Sequence, residues 1–318
     1  MADLPALTTM MSRLRLKQLH LLSALAEQGS LLRAAEKVAL TQPGASKALR
    51  EIESILGLTL FTRTPRGLVA TDAGHCVTRY ARLIQTDLSH LREELEDLTQ
   101  GQGGRLAVGT IMGAVPLLAA ALTRMRAQRA DVAVEIVEDT SAWLLELLDS
   151  GRLDVAICRS SISPRPDLYD SVDVHTETLA VVGSAEHPFA ARQHLQLSDL
   201  AQATWVVYSA NMPMRRLLER EFHEAGLRFP HNLYETTSAF TTLALLREQP
   251  DAVALLSTDV ANFFSSFGMT RILPLQLASR SEPYQLVKRR AAVLSPAAEL
   301  FMKIFRAGPL ENRIEETK

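Results

Sequence analysis

Ser30-Leu31-Leu32-Arg33-Ala34-Ala35-Glu36-Lys37-Val38-Ala39-Leu40-Thr41-Gln42-Pro43-Gly44-Ala45-Ser46-Lys47-Ala48-Leu49-Arg50-Glu51-Ile52-Glu53 is the stretch that decides the fold. It is completed by Leu60-Phe61-Thr62-Arg63-Thr64-Pro65-Arg66-Gly67-Leu68-Val69-Ala70-Thr71. Ser30 stands where a short helix would be capped, with Arg33 in its first turn. Ala34 and Ala35 are small, as a close helix crossing requires, and Leu40 is expected to plug the turn. Thr41 caps the next helix, and Pro43 sits in its first turn, where a missing N–H costs little. Ala45, Leu49, Ile52 and Leu56 fall on one face and pack inward. Gln42, Ser46, Lys47 and Arg50 fall on the other, with side-chain lengths suited to base edges and phosphates. Leu58–Phe61 and Leu68–Ala70 read as two short strands, and the turn between them lifts Arg63 and Arg66. Helix, tight turn, helix and β-wing outline a winged helix-turn-helix, a unit that sets one helix into the DNA major groove.

Upstream, residues 1–11 read as a disordered lead-in, with Met10 and Met11 as alternative starts to Met1. Leu16, Leu19, Leu22 and Leu25 recur at helical spacing and stop at Gly29. Downstream, Asp72 is expected to cap a long helix reaching about Thr99. Along it Val77, Ala81, Ile84, Leu88, Leu91, Leu95 and Leu98 step by 4, 3, 4, 3, 4, 3, an uninterrupted a/d seam opposite a charged face. Such a seam between two domains calls for a partner helix from a second chain, and Ile84, Leu88, Leu91, Leu95 and Leu98 are its dimerisation set. Gly101-Gln102-Gly103-Gly104 is a joint. It is not a dinucleotide fingerprint, because it precedes a strand where the fingerprint follows one.

From Arg105 the pattern alternates between strand and helix. Strands are expected at Leu106–Gly109, Val132–Val137 and Leu153–Cys158, separated by helices from Val115 to Arg126 and from Ala142 to Asp149, a doubly wound unit. A second unit follows, with strands near Thr178–Gly183, Thr204–Tyr208, Leu233–Thr236 and Val253–Leu256 and helices at Arg215–Ala225 and after Ser238. Tyr284–Lys288 returns to the first unit, and a helix Ser295–Phe305 closes the fold. Ligands of such folds sit beyond the carboxyl ends of the strands, at helix N-termini. Those positions hold Thr110, Ile111, Met112, Thr140, Ser141, Tyr208, Ser209 and Ser238, and their hydroxyls converge on a small polar or anionic ligand. Taken singly, each hydroxyl is explained as a helix cap. Arg159 either offsets a ligand carboxylate or is solvated; the sequence favours neither.

Composition bounds the alternatives. The 318 residues are 47% hydrophobic and 22% charged, with a net charge of −2. Residues 12–72 carry +4, residues 73–101 carry −2, and residues 102–318 carry −3, so the basic head is local. Two cysteines, Cys76 and Cys158, make neither a disulfide framework nor a zinc site. Ala114–Leu122 is too short an apolar run to span a bilayer, so a cytoplasmic chain without membrane contact, cofactor or metal is expected. There is no P-loop and no Gly-x-Ser-x-Gly elbow, and His223-Glu224 lacks a second His at metalloprotease spacing. His187-Pro188-Phe189 reads as a turn, Asp154 as a residue that fixes a turn, and Cys158 as core.

From Leu14 to Phe305 the chain resembles a LysR-type transcriptional regulator. The resemblance rests on Gly29-Ser30…Ala34-Ala35-Glu36, Thr41-Gln42-Pro43…Ser46-Lys47…Leu49…Glu53, Leu56-Gly57…Leu60-Phe61-Thr62-Arg63 and Thr71…Gly74. In the body it rests on Gly151-Arg152-Leu153-Asp154-Val155-Ala156-Ile157 and His187-Pro188. Gly44-Ala45 departs from the commoner Ala followed by Leu or Val. Asn211-Met212-Pro213-Met214-Arg215…Phe222…Ala225-Gly226…Asn232…Glu235-Thr236-Thr237-Ser238 is similar to regulators of the galactose-binding-protein-regulator type. The resemblance implies the following domains: the lead-in 1–11; a winged helix-turn-helix at 12–72; a linker and dimerisation helix with hinge at 73–101; a periplasmic-binding-protein-like α/β effector domain of two subdomains at 102–308; and a tail at 309–318. It also implies a homodimer or homotetramer on an interrupted inverted repeat of double-stranded DNA, a small-molecule effector between the subdomains, and RNA polymerase as a partner. By position, Arg33, Thr41, Gln42, Pro43, Ser46, Lys47, Arg50, Arg63 and Arg66 are the implied DNA contacts. The competing reading is a solute-binding or enzymatic α/β protein with an incidental helical head.

Overall fold

A computed structural model describes residues 4–65, 67–100, 103–210 and 212–308. Residues 1–3, Arg66, Gly101, Gln102, Asn211 and the expected tail lie outside them, as do the side chains of Asp97, Leu98 and Gln100. The chain divides into two compact units, one running to Gly104 together with Glu146–Leu153, the other comprising Arg105–Leu145 and the chain from Asp154 onward.

The first unit begins with α1 (Leu7–Arg13), α2 (Leu16–Gln28), α3 (Leu31–Lys37) and α4 (Gln42–Leu56), followed by the antiparallel hairpin β1 (Phe61–Thr64) and β2 (Gly67–Ala70) and the long α5 (Asp72–Gln100). α1 corrects the expected disordered lead-in. It is helical because Met10, facing inward, packs on the head's core, and Leu14 just beyond it does the same. That core is made of Leu21, Leu22, Leu25, Ala34, Ala35, Ala45, Ile52 and Leu60, all essentially inaccessible. The turn between α3 and α4 differs from expectation. Leu40 is exposed, and Val38 packs on the core in its place. Ala39 adopts φ 54°, which reverses the chain there and carries Leu40 outward. The first strand of the wing also starts later than expected, at Phe61, because Leu60 and Phe61 first donate their N–H groups to the Glu53 carboxylate at 2.7 and 3.2 Å.

The cap of α5 is Thr71 and not Asp72. The Thr71 hydroxyl accepts the Gly74 N–H at 3.1 Å and donates toward the Thr59 carbonyl at 2.8 Å. A side chain at Gly74 would place its Cβ 2.0 Å from the Leu60 carbonyl oxygen, so wing and helix touch backbone to backbone. Further along, α5 packs on α2, and Gln85 Nε2 donates to the Leu19 carbonyl at 3.2 Å and to Ser23 Oγ at 2.8 Å. The seam divides accordingly. Val77 and Ala81 join the head's core, whereas Ile84, Leu88, Leu91 and Leu95 remain 39%, 42%, 53% and 53% exposed.

The second unit holds two mixed sheets. β3 (Arg105–Thr110), α6 (Val115–Gln128), β4 (Ala133–Glu138), the start of α7 (Ser141–Asp149, of which Glu146–Asp149 fall in the first unit), β5 (Val155–Cys158) and β6 (Tyr169–His175) form the first lobe. β7 (Leu179–Gly183), β8 (Trp205–Val207), α8 (Pro213–Glu224), β9 (Leu233–Glu235), α9 (Ala239–Glu248), β10 (Val253–Ser257), α10 (Thr258–Ser266) and β11 (Arg271–Ile272) form the second. β12 (Tyr284–Arg289) returns to the first, and α11 (Pro296–Ala307) packs on α6 and β3. The sheet orders are β4-β3-β5-β12-β6 and β11-β7-β10-β8-β9. β12 lies antiparallel between β5 and β6, as the returning strand requires. β6, α10 and β11 escaped the sequence reading. β6 alternates without a clear apolar face, and β11 is only two residues long.

In the second lobe the alternation of a strand covered on both faces is explicit. Leu179 and Val181, Trp205 and Val207, and Val253 and Leu255 point into one core; Ala180 and Val182, Val206, and Ala254 and Leu256 point into the other. Trp205 Nε1 donates to the Leu200 carbonyl at 2.9 Å, so its buried polar atom is satisfied. Asp154 does fix a turn: its carboxylate accepts the Ala107 N–H at 2.7 Å and so joins β5 to β3.

Gly74→Ala is expected to lower the thermal stability of the head by about 1–3 kcal/mol through forced backbone displacement. The check is amide hydrogen exchange at Leu60 and Phe61, whose protection should fall well before that of Val181 or Val253.

Candidate functional site

Two surfaces concentrate unspent chemistry. The first is the outer face of α4. Thr41 accepts the Gly44 N–H on its hydroxyl at 3.2 Å, so it acts as the cap, and Pro43 occupies the first turn. Ala45, Leu49, Ile52 and Leu56 are buried, whereas Gln42, Lys47 and Arg50 are exposed and Ser46 is half-buried between them. Arg50 Nε donates to the Ser46 carbonyl at 3.3 Å, which lays its side chain along the helix. Arg33 on α3 and Arg63 on β1 are exposed, and among the described residues neither they nor Lys47 and Arg50 form an ion pair. Lys37, by contrast, is held by Glu27. Arg66 lies outside the described residues.

The second surface is a cavity of about 440 Å³ between the lobes of the second unit. Ile111, Met112, Thr140, Ser141, Arg159 and Tyr208, all expected from the sequence, line it. The remaining three do not. Thr110 is fully buried, with its hydroxyl donated to the Ile111 carbonyl at 3.0 Å; Ser238 caps α9 through the Thr241 N–H at 3.2 Å; and Ser209 lies outside the lining. Of the two candidate caps of α7, Thr140 accepts the Trp143 N–H, and Ser141 Oγ accepts the Arg159 N–H at 3.2 Å. The sequence reading missed Glu138, Asp139, Glu177, Met212 and Arg216. Glu138 and Asp139 end a strand and Arg216 opens a helix, so the rule that selected the hydroxyls also reaches these charges.

Arg159 proves to be neither solvated nor free. Its side chain is 7% exposed and pairs with Glu177, 3% exposed. Nη2 also donates to Ser281 Oγ at 2.8 Å and Nε to the Glu282 carbonyl at 3.1 Å. Glu177 and Ser281 lie on the two segments that cross between the lobes, and the Ser281 N–H donates to the Glu177 carbonyl at 3.1 Å. Burial pushes the Glu177 carboxyl above the usual carboxylate range, against the opposing pull of Arg159. A Cβ on Gly113 would meet the Glu177 carboxylate at 2.1 Å, so that position admits only glycine without rearrangement. Beside this pair, His175 at the end of β6 reaches Asp259 on α10 at 3.3 Å, and Tyr284 approaches the same carboxylate at 3.5 Å. The hydrogen bond to Asp259 raises the His175 pKa.

The residues named for chemistry elsewhere are structural. Burial pushes the Cys158 thiol up to about 12, which leaves it an inert core residue. His187 accepts the Phe189 N–H on Nδ1 at 3.1 Å and shapes a turn. Arg215 stacks on Phe229 at 4.3 Å and pairs with Glu219 and Glu235. Among the described residues no helix is long and apolar enough to cross a membrane.

A helix-turn-helix head with an unpaired polar face, carried on the same chain as a two-lobed body enclosing a cavity, defines a class: DNA-binding regulators that respond to a ligand. Comparison with known proteins narrows it. Residues 16–75 match the bacterial regulatory helix-turn-helix protein, lysR family, and residues 99–309 match the LysR substrate binding domain. The chain belongs to the LysR family of transcriptional regulators. It is 32% identical to the HTH-type transcriptional regulator GbpR of Azospirillum brasilense over 95% of this chain and 89% of that one. It is 28% identical to the RuBisCO operon transcriptional regulator of Allochromatium vinosum over 90% and 93%. In fold it is similar to CbnR, a LysR family regulator, with a TM-score of 0.62 at 19% identity over 92% and 99% of the two chains. CbnR has also been solved with its target DNA.

Two outcomes are expected. Glu177→Ala should destabilise the second unit by about 3–5 kcal/mol, because it strands the buried Arg159 charge, whereas the double change Arg159→Met with Glu177→Met should cost less; Trp205 fluorescence in a urea titration separates them. The His175–Asp259 bond stabilises the fold only while His175 is protonated. Its contribution is full below the ordinary histidine value of about 6.5 and is lost as pH rises through the raised value. Asp259→Asn should therefore lower Tm at pH ~6 and leave it unchanged at pH ~9.

Proposed function

We propose that this chain binds an interrupted inverted repeat of double-stranded DNA as a homodimer, or as a homotetramer of paired dimers, and that a small polar effector in the interlobe cavity controls it. The observation that carries this reading is the outer face of α4. Gln42, Ser46, Lys47 and Arg50 follow one another at helical spacing, and none of the described cations among them is spent on an internal ion pair. Gln42 and Ser46 read base edges, with Pro43 against them; Lys47, Arg50 and Arg33 hold phosphates; Arg63, with Arg66, extends the contact through the wing. Thr41 contributes by fixing the start of the helix.

The exposed half of the a/d seam, Ile84, Leu88, Leu91 and Leu95, pairs with its copy in a second chain, joined by Leu98, whose side chain lies outside the described residues. Effector binding closes the lobes about the crossings at Glu177 and Ser281, and the change of angle alters how paired heads are spaced. The effector contacts are Ile111, Met112, Thr140, Ser141 and Tyr208, supported by their place around one cavity, and Arg159, which also lines it, holds the cavity floor through Glu177 instead of meeting the ligand's charge. The identity with GbpR supports placing the chain beside that regulator within the family. A regulator of this kind acts at the chromosome, in the cytoplasm, with RNA polymerase as its final partner.

Binding to footprinted genomic sites is the direct test. Gln42→Ala and Ser46→Ala should each weaken specific binding by about 1–3 kcal/mol per lost base contact. Arg63→Ala should weaken binding to every sequence and flatten its salt dependence. Introducing Glu at Leu88 and Leu95 together should yield monomers by light scattering that no longer bind the repeat; a variant that stays monomeric and binds as the parent does would count for the solute-binding alternative.

A further inference from the structure

The cavity's two walls carry opposite unspent charges. On the first lobe Glu138 ends β4 and Asp139 follows it; on the second Arg216 stands in the first turns of α8. Most of the neighbouring charges are already committed. Asp139 Oδ1 accepts the Thr140 N–H at 2.6 Å, which fixes the carboxylate in place but leaves its charge. Arg159 is surrounded by Glu177, Ser281 and the Glu282 carbonyl, so its charge is met within the fold and not offered to the cavity. Arg215 is taken by Glu219 and Glu235. Glu138 and Arg216 are exposed, and neither has an ion-pair partner among the described residues. Partial desolvation raises the Glu138 pKa, and no nearby cation opposes it.

Resting on the reading of this cavity as the effector cleft, we infer that its ligand is a dipolar carboxylate: a small molecule whose carboxylate is held by Arg216 at the N-terminus of α8 and whose opposite end offers hydroxyl or ammonium donors to Glu138. Electrostatics excludes the simpler classes. A dianion would bring like charge against Glu138 and Asp139, and a dication would do so against Arg216. A purely apolar ligand would desolvate both side chains on closure and pair neither. Arg216 is suited to the acid end, because its planar fork matches a carboxylate and the first N–H groups of α8 add to the attraction. Ile111, Met112 and Met212 give the carbon skeleton an apolar surface between the two ends. The volume, about 440 Å³, restricts the ligand to metabolite size.

The test is thermal shift and calorimetry on the full chain with five sets of compounds: hydroxy-carboxylates, amino acids, neutral polyols, dicarboxylates and alkyl diamines. Only the first two sets should raise Tm. Arg216→Gln should weaken the active compound by about tenfold to a hundredfold, with Arg216→Lys in between, and Arg220→Gln on the same helix should leave it unchanged. Glu138→Gln separates the two sources. An amide still accepts from a hydroxyl, so a hydroxy-carboxylate should lose little, whereas an amino acid should lose about tenfold or more. Stabilisation by a polyol, dicarboxylate or diamine, unaltered affinity in Arg216→Gln, or no response to any set overturns the inference. Ala142→Trp, which fills the cavity, keeps the two readings apart. A polyol whose binding it abolishes leaves the cleft standing and removes the dipolar ligand, whereas any ligand that binds this variant as it does the parent removes the cleft itself.

Discussion

The guanidinium of Arg159 is where the body of the molecule is joined. It projects from just beyond β5 and meets Glu177 on one crossing segment and Ser281 and Glu282 on the other, while its own N–H reaches Ser141 at the start of α7. Inside a low-dielectric region Arg159 and Glu177 are each other's principal counter-charge. A pair of this kind contributes little net stability over an apolar replacement, but any arrangement that separates the partners is heavily penalised. Its effect is therefore on geometry. The two crossings are held in one register against the first lobe, and the floor of the cavity is fixed. The walls, the end of β4 and the first turns of α8, remain free to carry ligand chemistry. Gly113 belongs to the same constraint, because the Glu177 carboxylate occupies the space a side chain would need.

This explains why the cavity was only half legible in the sequence. The strand-end rule located Ile111, Met112, Thr140, Ser141, Arg159 and Tyr208, since each lies next to the element that presents it. Arg159 was left undecided because its partner is 18 residues away on a crossing segment, and nothing local marks Glu177 as facing it. Choosing hydroxyls also biased the selection. Thr110 and Ser238 fit the pattern, but their hydroxyls are consumed by backbone, while Glu138 and Arg216 sit at equivalent positions with their charges unspent. The informative question at a strand end is whether a polar group has a closer partner than the ligand.

The head was read more completely, because its signals are local: capping, spacing and alternation within forty residues. The two residues that depart from the family pattern also have a local account. Ala45 is fully buried among the helices, where a larger side chain would push α4 away from its neighbours. Gly44 donates its N–H to the Thr41 cap, and a Cβ there would lie 3.1 Å from that same hydroxyl. The reading helix is thus held close to the core at the end that carries Gln42 and Ser46. The error at Leu40 has the opposite origin: one left-handed residue, Ala39, rotates the chain and exchanges the roles of Val38 and Leu40.

The seam on α5 shows how a single periodicity serves two purposes. Its step of 3 and 4 is unbroken from Val77 to Leu95, so sequence alone does not say where its partner changes. The structure does: α5 runs antiparallel to α2, which begins at Leu16, and the last side-chain tie from α5 to it is Gln85, on Leu19 and Ser23. Ala81 is therefore fully covered and Leu88 is not, although both belong to one stripe. An apolar stripe that continues three turns beyond its intramolecular support, faced by charge on the opposite side, keeps its register but lacks its second half. Burying the distal half would take another helix with the same repeat, which a second copy of this chain, as proposed above, would supply by symmetry. Because the covered part of the stripe positions α5 on the head, it also sets how the uncovered part is presented.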